Sequence, residues 1–175
     1  MGGLERRIWF ARSFEVGLNP SALPDIIERL RGTPQRLEER VRGVSAELLV
    51  RRVDDAWSIQ EHAGHLGDLE PLWLGRLADL AAGEAVLRPA DLTNRGTWEA
   101  AHNDRSLDSV LETFRTLRTG LVASVESLGP DDLTVTADHP RLGQPMAVTD
   151  LCFFVAEHDD HHLARITDMI KKFER

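Results

Sequence analysis

The sequence predicts an all-α protein, a four-helix up-down bundle with long connections between helices two and three and between helices three and four. Two observations predict this fold class. Apolar residues recur every three or four positions in four long segments, which is the spacing of the buried face of an amphipathic helix. The segments between them are rich in proline, glycine and short polar residues, which interrupt helices. Helices with one apolar face bury that face by packing together as a bundle.

The first two helices differ in how clearly the sequence marks their ends. The first is predicted over residues 21–43, and Pro34 inside it indicates a kink or a later start. The second is predicted over residues 58–82. There Ser58 can accept a hydrogen bond from the backbone three residues on while Glu61 bonds back, the reciprocal arrangement called a capping box. The capping pattern therefore predicts where the second helix begins.

The third and fourth helices follow long, turn-rich connections. Residues 88–106 are polar and contain proline and glycine, although 97–102 could form a short helix. Ser106 then caps a third helix, which ends before a Gly-Pro pair. Residues 134–145 predict at most a short strand, and Thr149 begins the fourth helix. Because loops commonly carry specificity, either connection could cover a site on the bundle.

Length and charge narrow the class of protein. A chain of 175 residues fits a single domain, residues 1–175, in which 1–20 form an N-terminal arm. Acidic residues outnumber basic ones by 29 to 21, and the net charge of −8 disfavours nucleic acid as a partner. No apolar run approaches the ~20 residues that span a bilayer, and the N-terminus lacks the pattern of a signal peptide. The sequence therefore predicts a cytoplasmic protein with no membrane segment.

The single cysteine, Cys152, limits the metal chemistry that the chain can support. One cysteine excludes an internal disulfide and an all-cysteine metal site. Cys152 also lies off the face of the fourth helix that carries its histidines, so we expect a small core residue rather than a nucleophile. A metal ion would have to be held by histidine and carboxylate side chains.

Three of the seven histidines lie in one short stretch, EHDDHHLARI, residues 157–166. His158 and His162 are four residues apart, so on a helix they lie on the same face, one turn apart. Both continue the apolar stripe of the fourth helix, where buried imidazoles need partners. On the second helix, EHAGHLGDLE offers His62 and His65. Periodicity does not decide which of these two faces the core, and both could instead be solvated on the polar flank.

These motifs resemble the DinB/YfiT-like family of bacterial four-helix-bundle proteins. The family's mark is a Trp-Ser-Ile helix start leading to His-Leu, here WSIQEHAGHLGDLE, and a later His-x-x-x-His-Leu helix, here AEHDDHHLARI. Further stretches fit the same family: RGTP at 31–34, HPRLG at 139–143 and TDL at 149–151. The resemblance implies a metal triad of His65, His158 and His162, with nickel, zinc or a similar divalent ion. It alone selects His65, which stands directly before leucine.

An all-histidine site would leave a divalent ion with its full charge and with open coordination positions, as in catalytic zinc sites. Such an ion lowers the pKa of bound water to ~7 and favours a bound thiol as the thiolate. The resemblance implies thiol-dependent transferases and isomerases that use low-molecular-weight bacterial thiols, or metal-dependent hydrolases. We expect an enzyme that transfers such a thiol to an electrophilic small molecule, with metal-dependent hydrolysis as the alternative. An alternative of another class is a non-catalytic bundle stapled by the metal, and the resemblance also implies a homodimer.

Four further residues are weaker candidates for roles at this site. Glu61 and Asp68 lie about one turn on either side of His65 and could orient an imidazole or act as a base. Acids at such positions are more often ordinary helix-surface residues. Arg76 and Arg165 fall on or near the inward stripes of their helices, where they could bind a carboxylate of a substrate or cofactor, or pair with a buried acid.

Overall fold

The computed structural model describes residues 8–54 and 56–174. These residues form seven α-helices, four short 3₁₀ turns and one two-stranded antiparallel sheet. The helices are α1 (Leu23–Val41), α2 (Ala46–Val50), α3 (Ile59–Asp68), α4 (Glu70–Ala81), α5 (Arg95–Glu99), α6 (Leu107–Glu126) and α7 (Val148–Phe173). The strands are β1 (Ala137–Asp138) and β2 (Pro145–Met146). No helix in this part of the chain is long and apolar enough to cross a membrane.

Helices α3 and α4 together form the predicted second helix of the bundle. Ser58 accepts a hydrogen bond from the Glu61 N–H while the Glu61 carboxylate accepts one from the Ser58 N–H, so the predicted capping box is present. Leu69, in helical conformation, separates the two parts, and Pro71 lacks the N–H that would continue the hydrogen-bond ladder. In α1, Pro34 lies inside a continuous helix, so this helix does not start late. With α6 and α7, these helices form the predicted four-helix bundle.

The first and fourth bundle helices run in the same direction. In α1, Arg29 forms an ion pair with Glu157 of α7. Farther along α1, Arg36 forms an ion pair with Asp160, which is also farther along α7. Partners that advance together along both chains show that α1 and α7 are parallel.

The second and third bundle helices are also parallel to each other. Near the start of α3, Gln60 donates a hydrogen bond to the carbonyl of Arg105, just before α6. Near the start of α4, Glu70 accepts hydrogen bonds from Arg118 in the second half of α6. The partners again advance together. The long connection between α4 and α6 allows this, because it is long enough to return the chain to the end of the bundle at which α3 began.

Helix α7 runs against α3 and α4. His65 of α3 contacts His162 in the middle of α7, whereas Trp73 of α4 contacts Phe154 near its beginning. The four bundle helices therefore run up, down, down and up. The predicted four-helix bundle is confirmed, while the helix directions differ from strict alternation at the second and third helices. This order makes α3 and α7 neighbours, which the predicted site requires.

A buried polar layer crosses the bundle between two apolar clusters. Along α1, Leu30 belongs to one cluster and Leu37 to the other. Between them in the layer, Arg118 of α6 donates hydrogen bonds to Glu70 of α4 and Asp159 of α7. Arg118 also donates to the Leu30 carbonyl. These three ionisable side chains are at most 2% exposed, so the layer connects all four helices through polar contacts that are shielded from water.

Candidate metal centre

The structure brings the three predicted histidines together inside the bundle. Helix α3 carries His65, and α7 carries His158 and His162 on one face. Each is at most 6% exposed. One ring nitrogen from each of the three lies within 4.8 Å of the other two. The spacing of four residues places His158 and His162 on one face of α7, and the pairing of α3 with α7 brings His65 beside them.

The donor set fits a single divalent ion. Two imidazole nitrogens bound to one ion at about 2.0–2.1 Å lie roughly 2.9–3.4 Å apart at octahedral and tetrahedral angles. The Nε2 atoms of His158 and His162 are 3.2 Å apart. Trp9 and Trp73 pack against the His158 ring at centroid distances of 5.1 and 5.7 Å, so packing fixes its position.

A chain of hydrogen bonds fixes the orientation and tautomer of His65. Its Nδ1 lies 2.9 Å from the Thr97 hydroxyl oxygen, and that hydroxyl donates a 2.8 Å hydrogen bond to Asp68. Because the hydroxyl proton goes to Asp68, the oxygen accepts from His65, and Nδ1 carries the ring proton. The lone pair on Nε2 is then available to a metal ion. His102 completes the chain with a 2.8 Å hydrogen bond to Asp68.

Thr97 is a site residue that the sequence did not reveal. It lies in α5, within the predicted connection of residues 88–106, where a short helix was expected slightly later at 97–102. No motif or periodicity distinguishes its hydroxyl from the others in that connection. Its contact with His65 depends on how the connection folds back over α3.

Burial keeps the three histidines neutral. It lowers the pKa of His65 to about 4, an effect that Asp68 opposes and His102 reinforces. Burial, followed by the charges of neighbouring histidines, lowers the pKa values of His158 and His162 well below the usual range. Neutral imidazoles have the lone pairs that a metal ion requires.

His62 lies beside the cluster and contacts one of its members. Its Nδ1 is 2.9 Å from Nδ1 of His162, on the side of that ring opposite the nitrogen facing His158. His62 and His65 are both buried, so the alternative that placed them in solvent on a polar flank is wrong. The position of His62 suits a residue that orients His162 rather than one that completes the cluster.

A cavity of about 570 Å³ adjoins the three histidines. Both predicted connections contribute to its lining, the first through residues 89–92 and the second through residues 139–141. Its aromatic lining residues are Trp9, Phe10, Trp57, Trp73 and Phe154. A volume of this size is typical of sites that hold small molecules.

Comparison with known families identifies the fold family. A family model for the DinB superfamily matches residues 29–166. This chain belongs to the DinB superfamily. The match covers most of the chain and contains all three clustered histidines. No curated protein matches the chain significantly.

Several solved structures share the fold of this DinB protein. YfiT from Bacillus subtilis, described as a probable metal-dependent hydrolase with an unusual four-helix bundle topology, is 18% identical, with a TM-score of 0.77 over 93% of this chain and 94% of its own. The mycothiol-dependent maleylpyruvate isomerase is 10% identical, with a TM-score of 0.65 over 81% of this chain and 59% of its own. The colibactin self-resistance protein ClbS, in complex with a dsDNA, is 16% identical, with a TM-score of 0.65 over 88% of this chain and 98% of its own. At these identities the likeness shows the fold alone.

The two acids proposed from the sequence are not ordinary surface residues in this DinB protein. Glu61 is 2% exposed and forms an ion pair with Arg52. Although burial raises the pKa of Glu61, hydrogen bonds from Arg52 and Ser58 lower it overall. Glu61 therefore serves the helix start and an ion pair. Asp68 reaches His65 through the Thr97 hydroxyl, which is the contact that the predicted orienting role would need.

The two arginines proposed from the sequence both line the cavity. Arg76 is 1% exposed and donates a hydrogen bond to the Arg88 carbonyl, and its Nη1 lies 3.0 Å from Nε2 of His139. Arg165 is half-buried on α7. The cysteine lies elsewhere, since Cys152 packs within an apolar cluster, where burial raises the pKa of its thiol to about 12. Because of this raised pKa, the thiol is protonated. Cys152 is also not among the residues that line the cavity.

Proposed function

We propose that this protein is a metal-dependent enzyme that transfers a low-molecular-weight thiol to an electrophilic small molecule. The observation that carries the proposal is the buried cluster of three neutral histidines beside a cavity large enough for a small-molecule substrate. His65, His158 and His162 would hold a divalent ion, nickel or zinc. When bound, such an ion would lower the pKa of a thiol so that it reacts as the thiolate.

Thiol transfer and hydrolysis would each need groups that move protons, because the thiol or water loses a proton and the leaving group or adduct gains one. Among the described residues that line the cavity, the acid is Asp91, and its carboxylate caps its own loop by accepting hydrogen bonds from Thr93 and the Arg95 N–H. His139 and His161 also line the cavity and carry the side chain that most often transfers protons in enzymes. These groups would serve either reaction, and the shared fold with a mycothiol-dependent isomerase favours thiol transfer.

Hydrolysis remains the second candidate because of one comparison. YfiT, which shares this fold over nearly the whole of both chains, is described as a probable metal-dependent hydrolase. The same three histidines would serve either reaction, since a bound ion also lowers the pKa of water. The substrate in either case is proposed to be a small molecule rather than nucleic acid, because the net charge of −8 repels phosphate backbones.

The chain's own residues would position and shield the reactants. Thr97 would hold the Nδ1 proton of His65, and His62 would accept the Nδ1 proton of His162, so that the other nitrogen of each ring faces the ion. Trp57 stacks against the His162 ring at 6.2 Å, and its indole would exclude water from that side. The reactive thiol would come from a co-substrate, since the cysteine of this chain is buried elsewhere.

Metal content is the first test of this proposal. Elemental analysis of the purified protein should find about one divalent ion per chain. His158→Ala removes a proposed ligand and should lose the ion, whereas His62→Ala removes a neighbour of the cluster and should retain it. Equal metal content in the wild type and His158→Ala would refute the proposed ligand set. If His62→Ala loses the ion and His65→Ala keeps it, the ligand from α3 is His62.

Turnover is the second test. Bacillithiol, mycothiol, glutathione and cysteine are each mixed with the electrophile monochlorobimane and the metal-loaded protein. Consumption of one thiol that requires the metal and disappears in His162→Ala supports transfer. Metal-dependent cleavage of esters or amides without loss of thiol would establish hydrolysis instead. If neither reaction occurs in the fully loaded protein, the non-catalytic bundle is the correct alternative.

A further inference from the structure

The cavity beside the histidines carries positive charge, although the protein as a whole is acidic. The net charge of the chain is −8, yet Arg76, Arg141 and Arg165 line the cavity together with one acid, Asp91. Within residues 8–54 and 56–174, none of these three guanidinium groups lies within ion-pair distance of a carboxylate. Unpaired cations in an enclosed space are costly, because burial removes their hydration.

Two of these arginines lie on either side of one histidine. The Nη1 atom of Arg76 is 3.0 Å from Nε2 of His139, and the backbone N–H of Arg141 points to Nδ1 of the same ring at 3.2 Å. Burial lowers the pKa of Arg76 to about 10, an effect that Asp79 opposes and the charge of Arg141 reinforces. The guanidinium of Arg141 lies over the Phe154 ring at 5.9 Å, and that ring contacts the His139 ring at 5.0 Å, so both positive charges face the same part of the cavity.

Asp79, the acid whose charge acts on Arg76, does not neutralise this pair. Asp79 accepts hydrogen bonds from Nε and Nη2 of the Arg88 side chain and from the Arg88 backbone N–H, so its charge is already balanced. Contacts within the fold use only two of the three guanidinium nitrogens of Arg76. Its Nε atom donates to the Arg88 carbonyl and its Nη1 contacts His139, but its Nη2 forms no hydrogen bond with the described residues. The Nη2 atom of Arg141 is also buried without a hydrogen-bond partner in this part of the chain.

We propose that Arg76 and Arg141 bind the carboxylate of an apolar, preferably aromatic, substrate. Two guanidinium groups with free donors match the oxygens of a carboxylate, and the charges would then compensate one another. The aromatic lining of the cavity fits an apolar body next to that carboxylate. The inference rests on the proposed function, because it describes the substrate that would react at the histidine cluster.

The positions of the two sites agree with this assignment. The guanidinium of Arg76 lies over the Trp73 ring at 5.4 Å, and that ring contacts the His158 ring at 5.7 Å. One aromatic side chain therefore separates the arginine from the proposed metal ligand. A molecule with its carboxylate on Arg76 could lie along Trp73 and place its other end beside the cluster.

Calorimetric titration with benzoate and benzamide tests the inference. The two probes have the same shape and differ in charge. The metal-loaded wild type should bind benzoate at least about ten-fold more tightly than benzamide. Arg76→Gln and Arg141→Gln should each remove most of this preference without changing the affinity for benzamide. Arg42→Gln changes an exposed arginine outside the cavity and should leave the preference unchanged.

The same titration separates this inference from the proposed function. A carboxylate could bind the metal ion instead of the arginines, so His158→Ala is titrated as well. Retention of the benzoate preference in His158→Ala supports the arginine site, whether or not the protein transfers thiols. Loss of the preference in His158→Ala but not in the arginine variants would overturn it, as would equal binding of the two probes by the wild type. Arg141→Gln lies in a surface turn, so the test does not depend on Arg76→Gln folding.

Discussion

Removal of one hydroxyl beside the cluster should weaken metal binding far more than it weakens the fold. Thr97→Val keeps the shape of the side chain but removes the acceptor of the His65 Nδ1 proton. In the metal-free protein, His65 can move its proton to Nε2, so part of the loss is avoided. An ion held by Nε2 of His65 would leave the ring proton on Nδ1, where a buried donor without an acceptor costs about 1–3 kcal/mol. We therefore expect metal affinity to fall by about 10-fold to 100-fold.

A competitive titration against a chromophoric chelator measures this change, with the free energy of unfolding of the metal-free protein measured in parallel. Thr119→Val is the matched control, because Thr119 is exposed on α6 and its hydroxyl donates to a helix carbonyl. The control should keep wild-type affinity. An affinity of Thr97→Val within about threefold of the wild type, with the ion still held by the cluster, would refute the role of this hydroxyl in fixing the His65 tautomer.

The remaining predictions concern stability. Burial raises the pKa of Glu70 to about 7, above its ordinary 4.5, so this carboxyl contributes stability that is complete below about pH 4.5 and is lost as the pH rises to 7. The free energy of unfolding of Glu70→Gln should therefore rise relative to that of the wild type, by roughly 3 kcal/mol, as the pH increases from 4.5 to 7. Urea unfolding at several pH values measures this difference. A difference that stays constant with pH would contradict the argument. In Gly64→Ala the added methyl group would overlap the ring of His102, so this variant should have a lower melting temperature and a lower metal affinity. Gly120 lies on α6 with open space around it, so Gly120→Ala should stabilise the fold by about 0.5–1 kcal/mol. Equal effects of the two substitutions on the melting temperature would contradict the packing argument.

Local sequence patterns predicted the starts of the helices well, because the interactions that cap a helix join residues close together in the sequence. The Ser58 capping box and the Ser106 cap both lie where the sequence placed them, since each needs only residues within one helical turn. The directions of the helices were not predictable in the same way. The directions depend on the path of the connection between α4 and α6. The composition of this connection does not indicate that it spans the length of the bundle.

The choice between His62 and His65 is a case in which hydrophobic periodicity cannot identify the inward-facing residue. A helix with one buried face reveals that face by its pattern. In α3, every residue from 59 to 67 is buried, because α6, α7 and the connection that contains α5 pack around it. Such a helix has no solvent face to serve as a reference. Only the family resemblance selected His65, which the structure places in one cluster with His158 and His162.

The buried charges also help to explain why the two histidines of α7 face inward. Asp159 directly follows His158, and its carboxylate accepts hydrogen bonds from Arg118 of α6 and Thr33 of α1. An acid held in this way can be removed from water only while both partners remain in place, because an unpaired buried charge is strongly unfavourable. Rotation of α7 about its axis would break both contacts. The polar layer therefore fixes the rotation of α7, and that rotation presents His158 and His162 together to His65.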